Sequence, residues 1–250
     1  MKLRHSETNR RTLLKGAGAG VFLLALDFGE RLQARTAPPA GAAVWEAGAF
    51  LRIADDGTIR FLAKHDEMGQ GIHTGLALAC AEELEVPLER FDVVPAPVGP
   101  DYGNSAYVLQ VTGGSTSTWS SFDQMREAGA VARTMLIAAA AERWDMPIDA
   151  CRAEGGVVRT QDDSRSATYA ELASDAARQP VPSSVALKTA GEWRQIGKPT
   201  PRLDSPDKTR GKAIFSLDQR REGMLTASIE RPPTYGGTVK SLDDLAARLV

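Results

Sequence analysis

From position 49 onward, the alternation of apolar and polar residues divides the chain into recognisable elements. Ala49–Ala54 (AFLRIA) alternates with period two, Asp55-Asp56-Gly57 is a turn signal, and Thr58–Lys64 (TIRFLAK) alternates again, which predicts a β-hairpin. Glu67-Met68-Gly69-Gln70-Gly71 is too rich in glycine to continue the strand. Ile72–Val86 then places Ile72, Leu76, Ala79, Cys80 and Leu84 on one helical face, and Pro87 ends that helix. Phe91–Pro95 reads as a short strand, Gly99–Asn104 as a loop and Tyr107–Thr112 as a strand running into Gly113-Gly114-Ser115-Thr116-Ser117. An alanine-rich helix follows from about Phe122 to Trp144, with Ser121 and Gln124 at capping-box spacing. Cys151–Thr160 reads as a hairpin turning at Gly155-Gly156, and Tyr169–Arg178 as a helix. Gln179–Ser184 (QPVPSS) is linker-like, with a domain boundary expected within Pro180–Pro201. Beyond it, Lys212–Leu217 and Met224–Glu230 are strand-like and a helix begins at Leu242 and runs to Val250 without a closing cap. The fold class is α+β (mixed α/β), without internal repeats.

The first 37 residues follow a different plan. Met1–Lys15 carries Lys2, Arg4, Arg10, Arg11 and Lys15 against Glu7, and Gly16–Leu26 is an uncharged run. It is shorter than the roughly 20 apolar residues of a membrane span and suits the hydrophobic part of an export signal. Asn9-Arg10-Arg11-Thr12-Leu13-Leu14-Lys15 resembles the twin-arginine motif, which directs folded proteins to the periplasm. Small residues at Ala34–Ala37 suit a cleavage site, and residues 38–47 form a spacer. No cysteine stands near that site to carry a lipid, and stable membrane insertion of the mature chain is not expected. Folded export raises the expectation of a cofactor inserted before translocation.

Charge and composition narrow the chemistry. The 250 residues hold 30 Lys+Arg and 32 Asp+Glu. Removing the seven basic and three acidic residues of positions 1–37 leaves 23 against 29, a net charge of −6 with no footprint for nucleic acid. With Cys80 and Cys151 as the only cysteines, an iron–sulfur cluster, which takes about four thiolates, cannot be built here. No residue is nominated as a metal ligand.

Two segments share one design, in which a strand runs into a glycine-rich loop and the loop into a helix. In both Glu67–Gly71 and Thr112–Ser117, glycine lets main chain approach a ligand closely, and the unpaired N–H groups of the following helix attract anions. Ser115, Thr116, Ser117 and Thr118 add hydroxyls. Gln70 adds an amide, suited to a heterocycle edge or an oxo group. Taken alone neither loop decides anything, since a lone Gly-Gln-Gly is more often a tight turn and Gly-Gly-Ser-Thr-Ser more often a flexible connection.

The residues themselves are more specific. Glu67-Met68-Gly69-Gln70-Gly71-Ile72-His73-Thr74, followed by Ala81-Glu82-Glu83-Leu84, resembles the pterin-contacting segment of large subunits in the xanthine dehydrogenase/aldehyde oxidase family of molybdenum hydroxylases. Thr112–Ser117 and Arg126-Glu127-Ala128-Gly129-Ala130 resemble the second cofactor segment of that family's isoquinoline 1-oxidoreductase β-subunit branch. Ile196–Pro199, Arg202–Lys208, Gly211–Ala213 and Gly223–Leu225 resemble the start of its α/β-hammerhead domain. The resemblance implies part of a molybdopterin-binding domain over residues 48–180, a linker over 181–200 and the start of a hammerhead domain over 201–250. It implies a molybdopterin cofactor in its cytosine dinucleotide form, contacted by Gly69, Gln70, Gly71, Gly113, Gly114, Ser115, Thr116 and Ser117. It further implies a heteroaromatic or aldehyde substrate, a partner subunit carrying [2Fe–2S] clusters, and an electron acceptor such as a cytochrome. The family's catalytic glutamate sits in a Gly-Val-Gly-Glu motif that this sequence lacks, so no catalytic residue is nominated and the chain reads as the N-terminal portion of a longer subunit. A non-catalytic periplasmic binding or assembly module, and an inactive truncated product, stand as alternatives.

Elsewhere, Glu82 and Glu83 lie about 100° apart on their helix and read as a solvated face. His65 and His73 read as structural histidines, and Cys80 as core.

Overall fold

A computed structural model describes residues 21–24, 50–54, 57–107 and 109–249. The twin-arginine motif, the expected cleavage site, the spacer and the Asp55-Asp56 turn lie outside the described residues. Chain contacts divide the protein into two units, residues 1–206 and 207–250, and each is described by itself.

The first unit contains a four-stranded sheet in the order β1 (Val21–Leu24), β2 (Leu51–Ala54), β3 (Ile59–Ala63), β4 (Phe91–Pro95). β1 falls within the apolar run expected to serve export, and its backbone pairs antiparallel with β2. β2 and β3 form the expected hairpin, with Leu51 opposite Phe61 and Ile53 opposite Ile59. β3 and β4 run parallel, Ile59 opposite Phe91, because α1 (Ile72–Leu84) crosses between them. The first glycine loop therefore sits where a parallel strand hands over to its crossover helix.

α2 (Ser117–Trp144), 28 residues long, packs along α1. The contact is close enough that a Cβ built on Gly129 would lie 2.3 Å from the carbonyl oxygen of Cys80, so glycine alone fits without moving main chain. Ile72, Leu76, Ala79, Cys80 and Leu84 are all buried as their spacing predicts. A second sheet, β5 (Cys151–Glu154), β6 (Val157–Thr160) and β7 (Ser166–Thr168), is antiparallel throughout. Its hairpin turns at Gly155 and Gly156, both with positive φ. α3 (Tyr169–Ala176) follows, begun by a capping box between Thr168 and Glu171 that the sequence reading passed over.

Several expectations about elements give way. The long helix begins at Ser117 rather than near Phe122. Ser121 and Gln124 do not cap it; three residues apart, they share a face turned to the end of β3. Tyr107–Thr112 forms no strand among its described residues and contributes an isolated bridge between Asn104 and Leu109. In the second unit neither Lys212–Leu217 nor Met224–Glu230 is a strand; 3₁₀ turns occur at Ser216–Asp218 and Ala247–Leu249, the latter being what stands where a helix was expected. The apolar residues there, including Ile214, Leu217, Leu225 and Ile229, are exposed. A lone strand has no ladder to satisfy its main chain and no face to bury, so alternation alone does not make one.

Candidate functional site

The first loop is folded around a carboxylate. Gly69 and Gly71 have φ values of 102° and 87°, which turn their amides inward. Glu67 Oε1 accepts from Gly69 N–H at 2.9 Å and from Gly71 N–H at 2.8 Å, and Oε2 accepts from His73 N–H at 3.2 Å. The Arg202 guanidinium donates to the same carboxylate at 3.1 Å, to the Gly69 carbonyl at 2.6 Å, and to both oxygens of Asp204. Burial alone would raise the Glu67 carboxyl, but the amides of Gly71, His73 and Gly69 together with Arg202 outweigh it and hold it below the usual carboxylate range. Gln70 is exposed. Its Oε1 accepts from Met68 N–H at 2.6 Å, and its Nε2 donates to the Asp66 carbonyl at 2.9 Å.

The second loop is built on Asn104, which is fully buried. Its Nδ2 donates to Thr116 Oγ1 at 2.7 Å, its Oδ1 accepts from Ala106 N–H at 2.9 Å, and Thr116 Oγ1 donates to the Gly113 carbonyl at 2.9 Å. Thr116 is thereby turned inward, while Ser115, in the left-handed region at φ 54°, and Thr118 are exposed. Ser117 is buried at the start of α2, whose first turn has no side-chain cap. A Cβ on Gly113 would meet nothing within 4 Å, whereas one on Gly114 would lie 2.3 Å from the Tyr107 hydroxyl. Tyr107, Leu109, Val111, Gly113 and Gly114 line an open depression of about 410 Å³.

Short polar ties bring the two loops together. Asp66 N–H donates to Thr112 Oγ1 at 2.8 Å, joining the residue before the first loop to the first residue of the second. His65 Nε2 lies 2.9 Å from Ser121 Oγ, and Lys64 Nζ donates to Gln124 Oε1 at 2.9 Å. Both side chains are buried, so burial lowers the Lys64 ammonium to about 8, and burial with the nearby Lys64 charge lowers His65. His73 Nε2 bonds the His65 carbonyl at 2.9 Å. Both histidines thus belong to the frame of the loops.

Glu82 and Glu83 are not a solvated face. They are 1% and 0% exposed, because α1 is covered by α2 on one side and by the segment 185–196 on another. Glu83 Oε1 receives Arg126 Nε at 3.0 Å and Nη2 at 2.7 Å. Glu82 receives Lys188 Nζ at 2.8 Å and the main-chain N–H groups of Arg194, Gln195 and Ile196 at 3.0, 2.7 and 3.1 Å. Burial opposes its charge, but Lys188 and the amides of Gln195, Arg194 and Ile196 prevail and lower its carboxyl to about 2. The helix places the two carboxylates in separate jobs: Glu82 anchors the segment that carries Arg202, and Glu83 ties Arg126 of α2 and the Lys188 N–H, at 3.1 Å, to α1.

Every nominated loop residue therefore lies in one of two adjoining loops. Gly69, Gly113 and Gly114 present main chain, and Gln70 and Ser115 present exposed side chains. Asn104 carries no local signal in the sequence, and Arg202 reaches the first loop from 133 residues away. Glu67 does carry one, because an acid just ahead of a helix N-terminus is a recognised pattern.

Comparison with known proteins bears on this arrangement. Residues 2–216 match the family described as the molybdopterin cofactor-binding domain. The chain is 34% identical over 236 residues to isoquinoline 1-oxidoreductase subunit beta of Brevundimonas diminuta, covering 80% of this chain and 30% of that protein. It is 33% identical over 223 residues to the membrane-bound aldehyde dehydrogenase (pyrroloquinoline-quinone) of Gluconacetobacter polyoxogenes, covering 86% and 28%. Among solved structures, quinoline 2-oxidoreductase from Pseudomonas putida 86 aligns with a TM-score of 0.40 at 20% identity, over 52% of this chain and 16% of that one. The chain spans less than a third of the length of the curated relatives it matches.

Proposed function

Because this chain belongs to the molybdopterin cofactor-binding domain family, that of the large subunits of xanthine dehydrogenase-type enzymes, we propose that its two adjoining glycine loops form one wall of a molybdopterin site in a molybdenum hydroxylase. The observation that carries this reading is the Asp66–Thr112 tie, which sets two glycine-rich helix entrances side by side. The residues fit such a group. Main chain at Gly69 and Gly113 is open to close approach, and the uncapped start of a 28-residue helix provides donors for an anionic moiety. Bound molybdopterin supplies a metal centre that takes up the electrons of substrate oxidation, with water as the oxygen source. Gln70 offers an amide to the heterocycle or to an oxo group, Gly113 and Gly114 offer backbone, and Ser115 and Ser117 offer hydroxyls.

The finer reading is a cytosine dinucleotide form of the cofactor, an N-heteroaromatic or aldehyde substrate, a small [2Fe–2S] subunit as partner and a cytochrome-type acceptor. Export by the twin-arginine route belongs to it, supported by Asn9–Lys15 and the apolar run after it. The test is to purify the full-length subunit with its small partner and measure molybdenum, pterin and released cytidine nucleotide. Molybdenum near one atom per subunit is expected. Its absence overturns the proposal and leaves a binding or assembly module, and pyrroloquinoline quinone in its place overturns it in favour of a quinone-dependent enzyme. Export is tested by fusing residues 1–37 to a folded reporter. Periplasmic signal should vanish when Arg10 and Arg11 are both replaced by lysine.

A further inference from the structure

The first loop has the outline of an anion site, yet its inward-turned amides are already taken. Gly69 N–H, Gly71 N–H and His73 N–H all end on Glu67, and Arg202 closes over the carboxylate from outside. Arg202 is itself held by Asp204 and by the Gly69 carbonyl, and Leu203 N–H donates to Thr74 Oγ1 at 3.1 Å, so residues 202–204 clasp the first turn of α1. The Glu67 side chain is 10% exposed, which leaves little room for a phosphate beside it. Among the described residues no acidic side chain caps the second loop, where the inward hydroxyl of Thr116 serves Asn104 and the Gly113 carbonyl.

We propose that Glu67 is the resident anion of the first loop. It is a positioning residue whose carboxylate, clamped by Arg202, fixes the loop in its left-handed turns and excludes a second anion. On the molybdopterin reading given above, the first loop, with Gln70 at its tip, is then left to meet an uncharged part of the cofactor.

The test uses the full 250-residue chain labelled for amide NMR, with inorganic pyrophosphate and acetate as probes. In the unaltered protein, pyrophosphate should leave the Gly69, Gly71 and His73 amides unmoved; saturable shifts at those amides would overturn the inference. Glu67→Ala should lower the exchange protection of the Gly71 amide by at least about tenfold. Acetate should restore protection in that variant, a rescue that a purely steric role for Glu67 does not produce. Protection that is unchanged in Glu67→Ala, or lost beyond recovery by acetate in a folded chain, counts against the carboxylate. Should Glu67→Ala fail to fold, Glu67→Gln, which keeps shape and one acceptor but no charge, takes its place, with partial protection expected and full protection contradicting a role for charge. Absence of molybdenum from the full-length enzyme would remove the cofactor reading while leaving these amide results standing.

Discussion

The two glycine loops begin from the same plan and reach different ends. Each follows extended chain, each carries two glycines, and each opens onto a helix that contributes to the common core. In the first, an acidic side chain two residues ahead of Gly69 satisfies the amides, and a distant arginine covers the acid. In the second, a buried asparagine holds the loop from behind and the helix start is left without a side-chain cap. A glycine turn before a helix is thus not by itself an anion site. What decides is whether the protein has already placed its own anion there.

Mutations can break this comparison at several strengths, with amide exchange at both loops as the common readout. The largest effect is expected from Gly129→Val. Its side chain would collide with the Cys80 main chain, force α1 and α2 apart and loosen both loops alike, at a cost of about 3 kcal/mol or more by chemical denaturation. Loss of protection at one loop alone would show that the helices do not set the loops jointly.

Glu82→Gln comes next. A carboxyl lowered in the folded state stabilises above the unfolded pKa of 4.5, and that contribution fades as pH falls towards about 2. The variant should therefore lose about 3 kcal/mol at neutral pH and little near pH 2. Exchange should rise first in segment 188–196 and then at the first loop, through Arg202. A denaturation series across pH checks the sign, and an equal loss at all pH values would contradict it.

Gly114→Ala should cost about 1–2 kcal/mol, from the left-handed turn and the Tyr107 hydroxyl, and it should disturb the second loop only. Adding Tyr107→Phe should recover part of that cost, since the colliding atom is the hydroxyl. The smallest effect is expected from Gly71→Ala, about 1 kcal/mol of backbone strain at φ 87°, because the new methyl meets only Arg202 at 3.8 Å. If Gly71→Ala strips the full-length enzyme of molybdenum as thoroughly as Gly114→Ala does, both loops grip the cofactor through their backbones, and the contrast between them is lost.

Much of this was legible in the chain. The hairpin, both core helices, the second hairpin and the loops themselves follow from periodicity and from glycine placed just ahead of a helix, although the strand expected before the second loop did not form among its described residues. These signals are local, and the burial of Ile72, Leu76, Cys80 and Leu84 bears them out. The readings that failed needed knowledge of neighbours. Glu82 and Glu83 look solvated on a helical wheel, yet Lys188 and the amides of residues 194–196 arrive from more than 100 residues away and make their burial tolerable. Ser121 and Gln124 mimic a cap because hydrogen-bonding side chains three apart serve equally well to grip His65 and Lys64 across the core.

Taken by itself, the order of residues determined which segments can be strand, turn or helix, since hydrophobic period and backbone freedom act within a few positions. It also settled that these 250 residues lack the four or so thiolates an iron–sulfur cluster takes, since thiolates are counted and not arranged. Only tertiary structure decided which amides remain available. Whether Glu67 faces a ligand or its own loop depends on Arg202 and on the buried carboxylates that hold the Arg202 segment down. Such contacts are satisfied across the whole fold, and no stretch of sequence records them.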